Sequence, residues 1–506
     1  MIQLISRSLG LDQLKGQGLS VLCLSLMASL ILMSYGLARG PSEILFLADF
    51  SHTLLPGLWI EVGVGVICVV ALYNYLLRFL ELKEMFTLSC LVTGVSLLGI
   101  VYGQWGGEAR VFDLWGVKLP WGQTTLLRIW CDLYIVVFVE VFWSIANLRF
   151  PLKKATHIYG LLCAGGTLGS IAGNTLVASK ALGAPQTYVL SSLITLPLLL
   201  ILSMLVHRHW DRASAQATSQ DAQRPEGDKS VRTARDDQAR AKSSLVEGLK
   251  LIAKSRYLVW ILALVMLSQI TVSLIDYEYK RYLRELYLLG PETDFTRELY
   301  RSIEWGALPH RLSAWWTAMM EGGGASPLDG QLLSSALDEL RELKQSARSG
   351  MTAFQGWMYL SIDMGSLVCQ LLTGWIILRL GIAKTHLGIP LILLTLTISA
   401  MVFPALLLVA ATRSAGKFLT YSIFKSAKEL LYVPLSYAEQ TQGKAIIDIM
   451  VYRQAKILAS VMLLPAIGLV TLGVTRLTIF TLILWLLVVL RLRSIMSDSA
   501  ERTESS

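Results

Sequence analysis

Charged side chains recur inside stretches of this chain that are otherwise apolar, and their types and spacing restrict what they can do. One apolar run carries Arg128, Asp132 and Glu140, another ends with Asp276 and Lys280, and a third holds Asp363 among Leu, Ile and Met. Two later runs contain Lys425, Lys428 and Glu429, then Asp448, Arg453 and Lys456. An ionised group at the centre of a bilayer costs about 3 kcal/mol or more unless it is paired or faces water. Arg128 and Asp132 are four apart, as are Asp276 and Lys280, so each couple can pair on one helical face. The plain reading of such couples is a neutralised pair that fixes helix packing, as for Lys444 and Asp448 beside a loop. Lys425, Lys428, Arg453 and Lys456 crowd onto neighbouring runs with few carboxylates. Clusters of this kind bind phosphate or carboxylate ligands. Asp363 and Glu140 have no local partner in the sequence and read either as protonated core residues or as proton-coupling groups.

Other chemistries find little support. No Ser-His-Asp or metal-ligand constellation is visible, so neither an enzyme nor a metal or cofactor is expected. Cys23, Cys68, Cys90, Cys131, Cys163 and Cys369 all fall in apolar runs without CxxC spacing, which suits packing better than disulfides or zinc. Gly165, Gly169 and Gly173 recur every four residues, a smooth stripe for close helix packing. They follow no strand and do not read as a nucleotide loop. The Gly322–Gly324 run has no GK[ST] after it and reads as a hinge.

The elements that must carry these groups follow from composition. The chain is 54% hydrophobic and 16% charged, with mean hydropathy +0.55, too apolar for an ordinary soluble protein. Its apolar runs are long enough to cross the roughly 30 Å hydrocarbon layer, and a helix satisfies its own backbone there. Twelve spans are expected, at 19–38, 57–77, 85–103, 122–146, 156–179, 186–207, 257–277, 351–378, 384–411, 416–436, 446–472 and 476–493. Residues 1–207 then form one six-helix half and 257–506 a second, joined by a polar linker at 208–256. An insertion at about 281–350 carries Trp305, Trp315, Trp316 and a helical repeat of leucines from Leu332 to Leu343, which suggests an amphipathic cap. Arg78, Lys83, Arg149, Lys153, Lys154, Arg379, Lys384, Arg491 and Arg493 sit in alternate loops. They place both termini in the cytoplasm by the positive-inside rule, most simply in a bacterial inner membrane. The formal charge of +9 is thereby a membrane signature, not a nucleic-acid one. Six plus six spans with a central linker is the layout of the major facilitator fold, whose substrates bind between the halves.

Several stretches resemble the non-mitochondrial ATP/ADP translocases, the nucleotide transporters of obligate intracellular bacteria and plastids. Lys425-Ser-Ala-Lys-Glu-Leu-Leu-Tyr-Val-Pro-Leu-Ser, followed by Gln442-Gly-Lys-Ala-Ile-Ile-Asp448 and the Arg453/Lys456 pair, is similar to that family's signature. Phe142-Trp-Ser-Ile-Ala-Asn147 with the glycine stripe, and Leu274-Ile-Asp-Tyr-Glu-Tyr-Lys280, are further matches. The resemblance implies a facilitator-like fold and carriage of nucleotides or related phosphorylated metabolites. It also implies roles for Lys428 and for Asp276, which takes the place of a glutamate, with Asp132 the nearest fourth-span carboxylate. The first span departs from the pattern L-R-x-x-K-D: Arg39-Gly-Pro-Ser42-Glu43 has serine where the family has lysine.

The expectation is therefore an all-α polytopic carrier working by alternating access. Lys425, Lys428, Arg453 and Lys456 form its anion subsite, assisted by Arg39 and Lys280, and Asp276 and Asp132 neutralise cations in the empty state. Two rival readings are a proton-coupled carrier of another small anion, using Asp363 or Glu140, and a non-transporting membrane scaffold or sensor.

Overall fold

The computed structural model describes residues 18–149, 152–221, 252–289, 327–432, 452–464 and 473–504, together with Leu435, Glu439 and Ile447. Helices dominate it, because the apolar runs leave backbone groups no partner except one another. They are α1 (Gly18–Asp49), α2 (Leu55–Leu76), α3 (Leu82–Val101), α4 (Gln123–Arg149) and α5 (Leu152–Ala178). Next comes α6, Pro185–Ser191 continued past a short 3₁₀ turn by Thr195–Asp221. The seventh, α7 (Arg256–Arg284), is extended by a π turn at Glu285–Leu289. A helical stretch at Pro327–Val402 is divided at Gly381, where φ is 77° and ψ 164°, into α8 and α9. The tenth, α10, comprises Leu406–Leu419, a π turn at Thr420–Phe424, and Lys425–Leu431. The last two are α11 (Tyr452–Met462) and α12 (Val474–Glu504). By length and composition, nine helical stretches among the described residues can cross a membrane, one of them the divided α8–α9.

Helix ends differ from the expected spans in ways that matter below. The first helix does not stop at 38 but runs to Asp49 through Pro41. At 1.5 Å per residue its 32 residues reach about 48 Å, well beyond the hydrocarbon layer. The ninth helix ends at Val402 and the tenth begins at Leu406, not at 411 and 416. Pro404 has no N–H to continue the ladder, and Ala405 turns extended (φ −117°, ψ 138°) to start α10. The expected linker begins as helix through Asp221, and its residues 222–251 lie outside the described residues. So do residues 290–326 of the insertion, with Trp305, Trp315, Trp316 and Gly322–Gly324. The leucine repeat 332–343 falls on α8, where only the backbone is described.

The all-α expectation misses one element, an antiparallel hairpin between α3 and α4. Its strands, β1 (Arg110–Leu114) and β2 (Val117–Trp121), pair Leu114 with Val117 around a turn with positive φ at Trp115 (54°) and Gly116 (83°). Asp113 Oδ1 accepts a 2.8 Å hydrogen bond from the Gly116 N–H and closes the turn.

Helices α1–α6 share one buried apolar cluster, built around Leu24, Phe86, Phe138 and Val189. Helices α7–α10 and α12 share another, around Leu258, Ile389, Phe424 and Trp485, while α11 packs through Ala455 and Ala459 into a third. This third cluster joins the two groups. Ile44, Phe46, Leu58 and Trp59 pack there against Ile270, Leu274, Met351 and Met358. This seam lies toward the hairpin end, where Arg284 Nε also donates to Leu47 O (3.1 Å) and Arg348 pairs with Asp49 (3.2 Å).

The glycine stripe packs α5 directly on α1. A Cβ on Gly165 would stand 2.9 Å from Ser25 O and one on Gly173 2.5 Å from Met33 O, while on Gly169 it would overlap Ser29 O. These neighbours are backbone and cannot turn aside. Gly169→Val is expected to disperse the folded peak in detergent gel filtration. Gly374→Ala, with nothing within 4 Å, should leave the profile unchanged. A normal Gly169→Val profile would contradict the packing.

Candidate functional site

Arg39 and Glu43 sit one turn apart on α1, and the same face continues to Tyr35 and Leu32. All four line a cavity of about 530 Å³ between the two helix groups, within the range of ligand pockets. Its walls come from both groups: Trp59 and Val66 on α2, Arg128 and Asp132 on α4, Ser170 on α5, Asp276 and Lys280 on α7. Asp363 on α8, Lys417 and Tyr421 on α10 and Lys456 on α11 complete it.

A neutral quartet of buried charges closes the Glu43 end. Glu43 from α1 pairs with Lys280, and Lys280 pairs with Asp276 at 2.8 Å. Arg413, 1% exposed, stands behind them on α10; its Nε donates to Asp276 Oδ1 at 2.5 Å and its Nη2 lies 3.8 Å from Glu43. Glu43 also accepts from Gln355 Nε2 (2.5 Å) and from Tyr359 OH (2.9 Å). Tyr359 OH in turn accepts from Arg413 Nη2 (3.1 Å), and Tyr279 OH donates to Gln355 (2.6 Å). Two cations, two carboxylates and their hydrogen bonds thus satisfy one another across the seam, which is the condition for burying such charges.

The remaining cations are of two kinds. Arg128 pairs with Asp132 at 3.0 Å. Arg39, Lys417 and Lys456 line the cavity with no carboxylate of the described residues within ion-pair distance. Each instead lies over an aromatic face. Arg39 is 4.3 Å from the Tyr359 centroid and 5.2 Å from that of Tyr35, Lys417 is 5.9 Å from Tyr421, and Lys456 is 5.4 Å from Trp59. Ring quadrupoles hold a cation without neutralising it. Five cations and four carboxylates line the space, with Arg413 a sixth cation behind. The arrangement attracts an anion.

The structure thus gathers Asp132, Asp276, Lys280, Asp363, Lys456 and Arg39 around one cavity. It does not bring the expected four-cation subsite together. Lys425 is exposed, Lys428 is half-buried beside Glu429 (4.0 Å), and neither lines the cavity. The π turn at Thr420–Phe424 accounts for this: one extra residue rotates the following face by about 100°, so the Lys417–Tyr421 row does not continue to Lys425. The side chain of Arg453, with Asp448 and Lys444, lies outside the described residues. Glu140 is exposed and does not line the cavity. Asp132 and Asp276 pair with Arg128, Lys280 and Arg413, not with the α10–α11 lysines.

Sequence reasoning missed Arg413 and Lys417, and gave Glu43 no role. The signal was present: Pro404 marks the start of α10 nine residues before Arg413.

Comparison with known proteins agrees with the helical architecture. Solved structures with the same fold include the nucleoside transporter NupG, at TM-score 0.57 and 10% identity over 94% of this chain and 99% of that one. A bacterial homologue of the human lysosomal transporter Spinster, in an inward-facing and unoccupied conformation, matches at TM-score 0.51, 10% identity and 96% and 98% coverage. A D-xylose–proton symporter matches at TM-score 0.51, 11% identity and 93% and 96% coverage. The fold is that of the major facilitator carriers. Among curated sequences, ADP,ATP carrier protein 3 of Rickettsia bellii (strain RML369-C) is 23% identical over 359 residues, 66% of this chain and 61% of the relative. The model of the TLC ATP/ADP transporter family matches residues 83–299 and 349–496, a range that includes both the Leu274–Lys280 and the Lys425–Lys456 motifs. This multi-pass membrane protein belongs to the TLC ATP/ADP transporter family.

Proposed function

We propose that the chain carries nucleotides across a membrane by alternating access, with the cavity between its two helix groups as the substrate site. The observation that carries this reading is the set of three cavity cations, Arg39, Lys417 and Lys456, without carboxylate partners among the described residues. Ionised phosphates supply the charge these groups lack. Arg39 and Lys417 supply cationic charge in a chain that has Ser42 at the first-span position where the resembled family has lysine. Ser42 Oγ instead donates to Arg39 O at 3.0 Å. Because Glu43 pairs with Lys280 and Arg413 across the seam, an arriving phosphate competes for those cations and loosens the closed end, while the quartet keeps the empty cavity from collapsing onto unpaired charge. The positive loops support an orientation with both termini in the cytoplasm, in a bacterial inner membrane.

The test is thermal stability of the purified protein across a panel of ligands. ADP and ATP at a hundred times their dissociation constants should stabilise it by about 2.7 kcal/mol, and adenosine should not. Equal shifts with adenosine and ADP, or no shift with any phosphorylated ligand, would sink the assignment.

A further inference from the structure

Asp363 differs from the other three carboxylates of the cavity wall. Among the described residues it alone of the four has no cation within ion-pair distance; Glu43, Asp132 and Asp276 all do. Its orientation is nevertheless fixed from the opposite helix group. Ser170 Oγ and Asn174 Nδ2 on α5 both donate to Oδ2, at 2.7 and 2.8 Å, and Asn174 Nδ2 also reaches Ser170 Oγ at 3.3 Å. Gly36 makes the room, because a Cβ there would meet Ser170 O at 3.1 Å and Asn174 N at 3.3 Å. Among the described residues nothing donates to Oδ1, which is not enclosed either, and Asp363 lines the cavity, so this oxygen is open to a ligand there.

We infer that Asp363, positioned by Ser170 and Asn174, is a specificity residue that accepts a hydrogen bond from the nucleoside part of the substrate. This rests on the nucleotide reading above. An ionised carboxylate only accepts hydrogen bonds, and it repels phosphate oxygens. It therefore favours a ligand that carries a donor, a ribose hydroxyl or an exocyclic amine, away from its phosphates. Wall placement agrees for two of the cations: Lys280 and Lys456 meet over Trp59 on the α2, α7 and α11 wall, at 5.2 and 5.4 Å from the ring, whereas Asp363 stands on the α5 and α8 wall, with Arg39 nearer to it over Tyr359. A site that offers a buried acceptor rejects analogues lacking the matching donor far more strongly than an apolar pocket does. Bare phosphate or pyrophosphate satisfies the cations and leaves Asp363 opposed.

Asp363→Asn separates this role from a structural one, because the amide oxygen still accepts from Ser170 and Asn174 while a donor replaces the open oxygen. Concentration dependence of thermal stabilisation is read for ADP and for pyrophosphate, in the parent and in Asp363→Asn. The variant should bind ADP at least about tenfold more weakly and pyrophosphate as tightly as the parent or more so. In the parent, 2′,3′-dideoxy-ADP tests the ribose source and inosine diphosphate the amine source. One of them should bind weakly, and that penalty should vanish in Asp363→Asn. The inference is overturned if the variant binds ADP like the parent, or loses ADP and pyrophosphate equally. It is also overturned if it keeps ADP affinity but loses uptake driven by a pH gradient, which would make Asp363 a proton carrier. A parent stabilised by pyrophosphate but not by ADP overturns the nucleotide reading as well; one stabilised by neither overturns the anion cavity itself.

Discussion

Arg413→Ala is expected to lower stability by about 3–5 kcal/mol and to abolish transport. The guanidinium is 1% exposed and holds Asp276 at 2.5 Å while bridging to Glu43 and Tyr359. Without it two carboxylates share Lys280 alone, and the closed end of the cavity carries an uncompensated negative charge. The loss should appear as a drop in thermal midpoint and as poor accumulation in the membrane. Lysine in its place keeps the charge but lacks the planar fork and the stacking on Tyr279 (4.3 Å), so Arg413→Lys should fall between. Arg413→Ala combined with Asp276→Ala restores neutrality, and should recover much of the stability without recovering transport. If Arg413→Ala is as stable as the parent, the quartet does not hold the two helix groups together.

Lys456→Met should have the opposite signature. This ammonium lies in the cavity over Trp59 with no carboxylate of the described residues within ion-pair distance. Methionine keeps much of the stem's packing and removes a charge that protein alone does not neutralise, so the ligand-free thermal midpoint should hold or rise. Nucleotide uptake should fall by roughly 10–100-fold, as expected for one lost charge-assisted contact of about 1.5–3 kcal/mol. Lys417→Met should behave alike, and exposed Lys425→Ala should stay near the parent. Unimpaired uptake by Lys456→Met would remove the lysine from the site.

The sequence makes much of this architecture readable, for physical reasons that can be named. Long apolar runs dictate helices because lipid offers backbone groups nothing else, and the Gly165–Gly169–Gly173 stripe announces a close helix contact. The couples Arg128–Asp132 and Asp276–Lys280 are legible because a helix brings residues four apart together. Contacts across the seam are not legible in this way. Glu43 meets Lys280, and Gln355 reaches Glu43 over 312 residues, and no local period encodes such pairs. Arg413 and Lys417 were lost for a different reason: hydropathy runs unbroken through the α9–α10 junction, so the span boundary fell on the wrong side of Pro404. Glu43 lies beyond the expected end of the first span at 38, whereas the helix continues through Gly40 and Pro41 to Asp49. Lys425 and Lys428 were placed by their nearness in sequence to Lys456, and the π turn that rotates them away leaves no signature in composition. The hairpin, by contrast, had its Asp113–Gly116 turn in plain view.

Counterflow in proteoliposomes tests the central claim most directly. Vesicles holding the purified protein and loaded with unlabelled ADP should accumulate labelled ATP above its equilibrium level. Empty vesicles should not, and Lys456→Met should cut the initial rate by roughly 10–100-fold. Labelled ATP uptake that ignores internal ADP and persists undiminished in Lys456→Met and Lys417→Met would contradict a nucleotide carrier working through this cavity.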